Sequence, residues 1–375
     1  MKFSIMQSSL TEALNLSLRA ITSKTTMPIL IGILIEAKEG HLIFRSTDLD
    51  ISIEYKIRAE IFSEGITVIP ARHFSELVKK LPNILLDLEI LENGQLKITY
   101  GKSVVQLNTF NAQEFPQLGK PADGLFFTLK TDELANAVHF AAVAAGQEGN
   151  KAIFTGILLD LQEDCLNIVA TDTHRLAYQK IKLLKKEGQA EYWRNPIIPA
   201  KYFVEACRMF RPEDTEVTLQ IGKGYVAYHL DNLLITTRLI EGTFPDYAAV
   251  IPKGYKSRVR LLRRSISDAL ERAFLMARDE VKNRACSVSL DISEQLITID
   301  TKSAEVGNIH EEIAIFLEGE ETKIGFNLKY LLDALKAMKE EEIYFDLTGV
   351  QSPAILRPIE ASDEYLFLVL PMKLI

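Results

Sequence analysis

Apolar positions along this chain follow two periods, and the two alternate in a fixed order. Spacings of three and four mark LTEALNLSLRAIT (10–22), TDELANAVHFAAVAAG (131–146) and SISDALERAFLMARDE (265–280) as amphipathic helices. Thr11, Thr131 and Ser265 stand where N-caps are needed, and Glu12, Asp132 and Asp268 follow where the helix dipole favours an acid. Strict alternation in HLIFRS, LKITY and EVTLQI instead predicts strands, joined as hairpins by turns such as Asn93-Gly94. Helices interleave with antiparallel strands rather than parallel crossovers, so the fold class is α+β.

The order itself recurs three times. GILIEAKEGHLIFRSTD (32–48) aligns with GILLDLQEDCLNIVATD (156–172), and SVSLDISEQLITIDT (287–301) keeps the Leu290-Asp291 pair and the strand that follows. A strand running into a second helix appears as VIPARHFSELVKKLP (68–82), IIPAKYFVEACRMFRP (197–212) and IGFNLKYLLDALKAM (324–338). Phe115-Pro116, Phe244-Pro245 and Leu370-Pro371 are taken as a closing landmark. The repeat divides the 375 residues into three domains, 1–120, 128–247 and 248–375.

Composition narrows the function. Hydrophobic residues at 47% and charged residues at 25% belong to an ordinary globular protein, and no segment approaches the apolar length of a membrane span. The start, MKFSIMQSSLTEAL, has no apolar stretch of signal-peptide length, so the cytoplasm is the expected location. Cys165, Cys207 and Cys286 lie far apart, outside any metal-ligand spacing, and are read as reduced fillers. The net charge of −8 argues against nucleic acid unless cations gather on one surface. Phosphates respond to local potential within a Debye length of about 8–10 Å, so distribution outweighs the sum. No GxxxxGK, GxSxG or HExxH occurs, which leaves enzyme chemistry unsupported. Asp48, Asp50 and Asp172 are read as turn residues and not a magnesium cluster, because Asp48 and Asp172 occupy one position in different copies. Neither metal nor cofactor is expected.

MPILIGILIEA, VIPARHFSELVKKLP, ATDTHRLAY (170–178), GTFPDY (242–247), IGFNLKYLLDAL and LPMKL together resemble the bacterial sliding clamp, the beta subunit of DNA polymerase III, and the likeness covers the whole chain. It implies three clamp domains, each with two helices packed on antiparallel sheets. Two chains would pair head to tail into a ring around duplex DNA, a non-catalytic processivity factor that ignores base sequence. The alternative is a repeat-built protein scaffold that does not encircle DNA.

The resemblance also implies two surfaces and a joint. A peptide groove would take linear motifs from the polymerase III alpha subunit, the clamp loader, other polymerases and repair proteins. Its residues would be Phe154, Thr171, Thr173, His174, Arg175, Leu176, Pro245, Val250, Asn327 and Tyr330, with Leu370, Pro371, Met372, Lys373 and Leu374 from the tail. Arg175 and Asn327 would be its polar fixers, and His174 a wall. Ala249, Lys373 and Ile375 depart from the family pattern at the rim. DNA would meet Arg72, Lys79, Lys80, Lys201 and Arg208 on second helices, and Lys24 and Lys151 in loops. Arg211, Lys329, Lys336 and Lys339, with Arg263, Arg264, Arg272 and Arg278, extend the basic pattern. Val105 and Leu107 would meet Leu275 and Met276 of a partner chain to form a homodimer. No membrane partner is implied.

Overall fold

The computed structural model describes residues 1–22, 25–119, 123–147, 149, 151–188, 195–277, 287–303, 307–360 and 364–373. The first repeat runs β1 (Lys2–Met6), α1 (Gln7–Ser17), β2 (Gly32–Lys38), β3 (His41–Thr47), β4 (Ile51–Arg58), β5 (Glu60–Ser63), β6 (Gly65–Pro70), α2 (Ala71–Lys80), β7 (Leu85–Ile90), β8 (Leu96–Tyr100) and β9 (Ser103–Leu107). The second runs β10 (Leu125–Lys130), α3 (Thr131–Ala142), β11 (Gly156–Leu161), β12 (Cys165–Thr171), β13 (Arg175–Lys182), β14 (Lys185–Glu187), β15 (Ile197–Pro199), α4 (Ala200–Cys207), β16 (Glu216–Gly222), β17 (Tyr225–His229) and β18 (Leu233–Arg238). The third runs β19 (Ser257–Leu262), α5 (Arg263–Ala277), β20 (Ser287–Ile292), β21 (Leu296–Ser303), β22 (Gly307–Ala314), β23 (Phe316–Gly319), β24 (Thr322–Asn327), α6 (Leu328–Ala337), β25 (Glu342–Leu347), β26 (Ala354–Pro358) and β27 (Tyr365–Val369). The threefold repeat expected from the apolar pattern is therefore complete, element for element.

The chain forms two compact units, Met1–Thr131 with Leu184–Arg194 and Glu205–Leu239, and Asp132–Leu183 with Asn195–Val204 and Ile240–Ile375. The first unit holds a sheet ordered β5-β1-β7-β8-β9 and another ordered β14-β10-β16-β17-β18-β4-β3-β2-β6. The second unit holds β15-β11-β12-β13-β27-β26-β25-β19-β23 and β22-β21-β20-β24. Every repeat thus supplies one five-stranded and one four-stranded ribbon. Each nine-stranded sheet joins the four of one repeat to the five of the next, antiparallel, through β4 on β18 and β13 on β27. Ser52 faces Thr236 at the first joint and Leu176 faces Leu368 at the second. Of the strands equivalent to these joining pairs, β9 and β22 stand at sheet ends among the described residues.

Packing explains the recurring landmarks. Phe3, Leu10, Leu14, Phe74 and Val78 are buried under α1 and α2, as Ile266, Leu270, Leu331 and Leu335 are under α5 and α6. The glycine that opens GILIEA and GILLDL is demanded by close approach. A Cβ on Gly32 would lie 2.4 Å from Val68 Cγ1, and one on Gly156 would lie 2.4 Å from Ile197 Cγ2. Among the described residues no helix is long and apolar enough to cross a membrane. Cys165 and Cys207 are buried free thiols, and Cys286 lies outside the described residues.

Four expectations are corrected. Thr11 does not cap α1, which begins at Gln7; its hydroxyl donates to the Gln7 carbonyl at 2.9 Å, one turn back. Thr131 is the first residue of α3 and its hydroxyl donates to the Asp214 carbonyl, while Ser265 lies inside the first turn of α5. The reason is common to all: each helix starts at the residue after a strand, so the strand end sets its position. Lastly, isolated bridges Val68–Phe110, Ile197–Ile240 and Gly325–Met372 align Met372 with Phe110 and Ile240. Leu370-Pro371 therefore precedes the repeat position of the two Phe-Pro pairs instead of matching it.

Candidate peptide-binding groove

The groove begins with a tight turn between β12 and β13. Thr171 Oγ1 donates to the Arg175 carbonyl (2.7 Å) and accepts from the Thr173 N–H (3.1 Å). Asp172 Oδ1 accepts from the N–H groups of His174 (3.0 Å) and Arg175 (3.1 Å). This closure holds Thr173 at φ 79°, left-handed for a residue with a side chain. The first repeat builds the same turn from Thr47, Asp48 and Leu49, with Leu49 at φ 80°. Asp48 and Asp172 are thus used by their own turns, as read from the repeat.

The turn lifts His174 into solvent and drives Arg175 inward. Arg175 Nε donates to Asp172 Oδ2 at 3.0 Å and Nη1 to Asp333 Oδ2 at 2.6 Å. Its guanidinium carbon lies 4.4 Å from the centre of the Tyr330 ring, and the His174 ring stacks on the same tyrosine, 23° from parallel. Burial, and then the Asp172 carboxylate, push the Tyr330 phenol above its ordinary range, so the ring stays neutral. Lys151, Phe154, Asp172, Thr173, His174 and Tyr330 line a cleft of about 630 Å³. Arg175, expected as a polar fixer of the groove, is buried and braces the turn from inside through Asp172 and Asp333. Asn327 is likewise engaged within the fold, where its Oδ1 accepts from the Lys329 N–H at 3.0 Å and caps α6.

Beside this cleft lies an apolar floor. Leu158, Val169, Leu176, Ile197, Leu366 and Leu368 form a buried cluster. Ile240, Phe244, Tyr247, Ile251 and Leu370 pack on it, half-buried. Pro245 is exposed, as is Val250 at 51%. Tyr178 and Tyr247 stack with centroids 6.1 Å apart, and both hydroxyls donate, to Asn167 Oδ1 and Asp160 Oδ2 respectively. The tail is stitched on by two backbone bonds, Leu370 N–H to the His174 carbonyl (2.9 Å) and Met372 N–H to the Gly325 carbonyl (2.7 Å). Pro371, Met372 and Lys373 then line a second cleft with Ile324 and Val350. Leu374 and Ile375 lie outside the described residues. Val169, Tyr178, Ile240, Phe244, Tyr247, Leu366 and Leu368 are not among the groove residues expected from the sequence, although alternation along β13 and β27 marks part of the set.

The expected cations divide into two kinds. Arg211 binds Asp214, Glu213 and Glu12; Arg263 donates to the carbonyls of Glu340 and Leu335; Arg272 pairs with Glu311 and Arg264 with Asp268. Lys336 pairs with Glu271, Lys339 bonds Asn136, and Arg208 lies 3.5 Å from Glu205. Arg72, Lys79, Lys80, Lys201 and Lys329 are exposed, and none of them makes an ion pair to a described residue. Arg72, Lys201 and Lys329 share one place, the second residue of α2, α4 and α6. Lys151 sits on the rim of the histidine cleft. Lys24 and Arg278 lie outside the described residues. Val105 and Leu107 are half-buried on edge strand β9, whose Val104 is 50% exposed. Leu275 is 61% exposed near the end of α5, with Met276 half-buried beside it.

Three matching α+β repeats, joined sheet to sheet through β4 on β18 and β13 on β27, define a threefold repeat protein in which β9 and β22, the counterparts of the joining strands, end their sheets among the described residues. The family follows from comparison with known proteins. Residues 1–119, 128–246 and 248–373 match the N-terminal, central and C-terminal domains of the DNA polymerase III beta subunit. The beta sliding clamp of Bacillus subtilis (strain 168) is 34% identical over 383 residues, covering 100% of both chains. That of Staphylococcus epidermidis is 31% identical over 382 residues, covering 100% of this chain and 99% of the relative. Among solved structures, the DNA polymerase sliding clamp from Bacillus subtilis superposes with a TM-score of 0.93 at 32% identity. The beta subunit from Streptococcus pyogenes gives 0.94 at 27%, and both structures are covered in full along with this chain. The chain belongs to the DNA polymerase III beta subunit family, the bacterial beta sliding clamps.

Proposed function

We propose that the protein is a non-catalytic processivity factor, with domains at 1–120, 128–247 and 248–375, that closes with a second copy into a ring around duplex DNA in the cytoplasm. The observation that carries the ring is the pair of open edges. Inside the chain, the four-stranded ribbon of one repeat always joins the five-stranded ribbon of the next. The ribbons left over, β5-β1-β7-β8-β9 and β22-β21-β20-β24, are one five and one four. Joining β22 of one copy to β9 of another makes the third nine-stranded sheet. In the internal registers, Asn308 holds the place of Leu176 and Gln106 that of Leu368. Copying the joint sets Val105 opposite Ile309 of the second copy. Leu107 and Leu275 belong to the same head-to-tail joint, with Met276.

The lining of the ring rests on the threefold cation. Arg72, Lys201 and Lys329 each sit in a first helical turn, where the helix dipole disfavours positive charge by about 0.3–1 kcal/mol. A cost repeated at the same place in all three repeats favours an external anion, and phosphates supply one without reading sequence. Lys79, Lys80, Arg208 and Lys151, with Lys24, are assigned to the same lining. The groove, built on Phe154, Thr171–Leu176, Pro245, Val250, Asn327, Tyr330 and Leu370–Leu374, would take linear motifs of the polymerase alpha subunit, the clamp loader, other polymerases and repair proteins.

One experiment tests the ring. Chains carrying Val105→Cys and Ile309→Cys are loaded on a nicked plasmid by the clamp loader and oxidised. They are expected to stay on the circle in high salt and to leave when it is cut. Retention on the linear plasmid refutes encirclement, and failure to stay on the circle favours a protein scaffold.

A further inference from the structure

The groove floor has a counterpart in the first unit that the strand registers define residue by residue. Ile29, Leu34 and Val68 form a buried cluster with Phe110 and Phe115, in the places of Ile153, Leu158, Ile197, Ile240 and Phe244. A cleft of about 440 Å³ lies over it, lined by Leu34, Arg45, Ser52, Glu54, Phe115 and Thr236 among others. The apolar cluster beneath the groove is therefore present twice in the chain. What differs is one set of positions. Arg45 faces Leu34 across β2–β3 as Val169 faces Leu158 across β11–β12. On the next strand Arg45 is opposite Glu54, Val169 opposite Tyr178 and Asp300 opposite His310, one cross-strand pair seen in three repeats.

The three versions differ in polarity. Arg45 donates to Glu54 Oε2 at 2.6 Å from Nε and to Glu36 Oε2 at 2.7 Å from Nη1, so the first cleft has charge on its floor. His310 Nδ1 lies 2.8 Å from Asp300 Oδ1 in the third repeat. Only the second repeat places an aliphatic side chain and a ring there. The joint residues agree: Ser52 and Thr236 stand where the groove has Leu176 and Leu368.

We infer that this cross-strand pair, with the two joint residues beside it, is the specificity determinant that confines motif binding to one groove per chain. Seating an apolar anchor over Arg45 and Glu54 strips water from charged groups and returns no hydrogen bond, whereas Val169 and Tyr178 lose nothing by being covered. The ion pair coexists with an intact cluster of Leu34, Val68 and Phe110. The inference rests on the groove reading above.

The test counts peptides. The probe is a fluorescein-labelled peptide copied from the clamp-binding segment of the polymerase III alpha subunit, titrated against the whole protein by calorimetry. The wild-type chain is expected to bind one. Arg45→Val/Ser52→Leu/Glu54→Tyr/Thr236→Leu is expected to bind two. Tyr178→Glu, which places the carboxylate of Glu54 at the half-buried position of the second repeat, is expected to lose at least tenfold in affinity while keeping its dimer size and remaining folded at the assay temperature; Tyr178→Phe is expected to bind normally. Two peptides on the wild-type chain, or only one on a folded four-residue variant, overturns the inference alone. No binding by the wild-type chain overturns the groove reading and the inference with it.

Discussion

Replacing Arg175 by methionine tests whether the groove is held by an internal brace. The side chains of Arg175 and Asp172 are 9% and 10% exposed, so deleting the guanidinium strands a carboxylate that water barely reaches. Breaking a buried pair from one side costs about 3–5 kcal/mol. Asp172 keeps two backbone donors, which lowers the figure, and Asp333 is 30% exposed and can be rehydrated. Loss of the guanidinium over Tyr330 adds roughly 0.5–2 kcal/mol. The sum expected for Arg175→Met is about 3–4 kcal/mol, and Asp172→Asn/Arg175→Met should recover part of it as a coupling of about 1–3 kcal/mol. Urea denaturation measures the loss, with hydrogen exchange of β13 and β27 amides assigning it to the second unit. Motif-peptide affinity should fall at least tenfold at temperatures where the variant is folded, because Tyr330 and His174 lose their support. A variant within about 0.5 kcal/mol of wild type would show that Arg175 is a surface residue energetically and refute the brace.

Removal of Pro371 to Ile375 cuts the Met372 bond to Gly325 and is expected to abolish peptide binding and polymerase stimulation while dimer size, by light scattering, is unchanged; unaltered binding would remove the tail from the groove. Tyr55, buried and donating to Glu12, has its phenol pushed up to about 12, chiefly by burial. Its neutral form is favoured by folding, so its contribution is complete below pH 10, the ordinary tyrosine value, and is lost as pH rises toward 12; Tyr55→Phe should flatten that loss in alkaline melts, and an unchanged slope would refute the linkage. Arg72→Gln/Lys201→Gln/Lys329→Gln is expected to shorten the lifetime of clamps on circular DNA and lower the salt dependence of retention, while the melting temperature holds or rises; a lower melting temperature with normal retention would make these cations structural.

The repeat and both periodicities were legible because they are local. Strand alternation and helical spacing lie within about fifteen residues, and the buried Gly32 and Gly156 contacts keep one landmark nearly identical in two copies. Helix starts were misplaced because Thr and Ser signals presume a loop before the helix, whereas β1, β10 and β19 run straight into α1, α3 and α5. The partners of Arg175 and Asn327 within the fold were not legible: nothing near Arg175 announces Asp333, 158 residues further on, as its partner. The floor strand β27 was equally hidden, since its pairing with β13 joins two repeats. Yet the alignment of repeats contained that pairing in principle: once β4 is seen on β18, β13 must find β27.

That regularity bears on where a ring of this kind opens. A chain of three fused repeats contains two internal joints and supplies half of each remaining one. Such unlike edges make a head-to-tail contact, which closes into a ring only if the rotation per repeat allows it. The second joint sets Leu176 against Leu368 and Tyr178 against Leu366 over a continuous apolar cluster. The register transferred to β9 and β22 sets Gln106 against Asn308 and Val104 against His310, with Val105 and Ile309 as the apolar pair between them. Side chains then make the difference, and the transferred register has fewer apolar pairs than the second internal joint, as the first internal joint also does with Ser52 on Thr236 and Glu54 on Leu234. It also lacks the covalent continuity that holds the internal joints together. For the proposed ring, the absence of covalent continuity points to the contact between copies as the place of opening, and the polarity of Asn308, Gln106 and His310 sets that joint apart from the apolar second one.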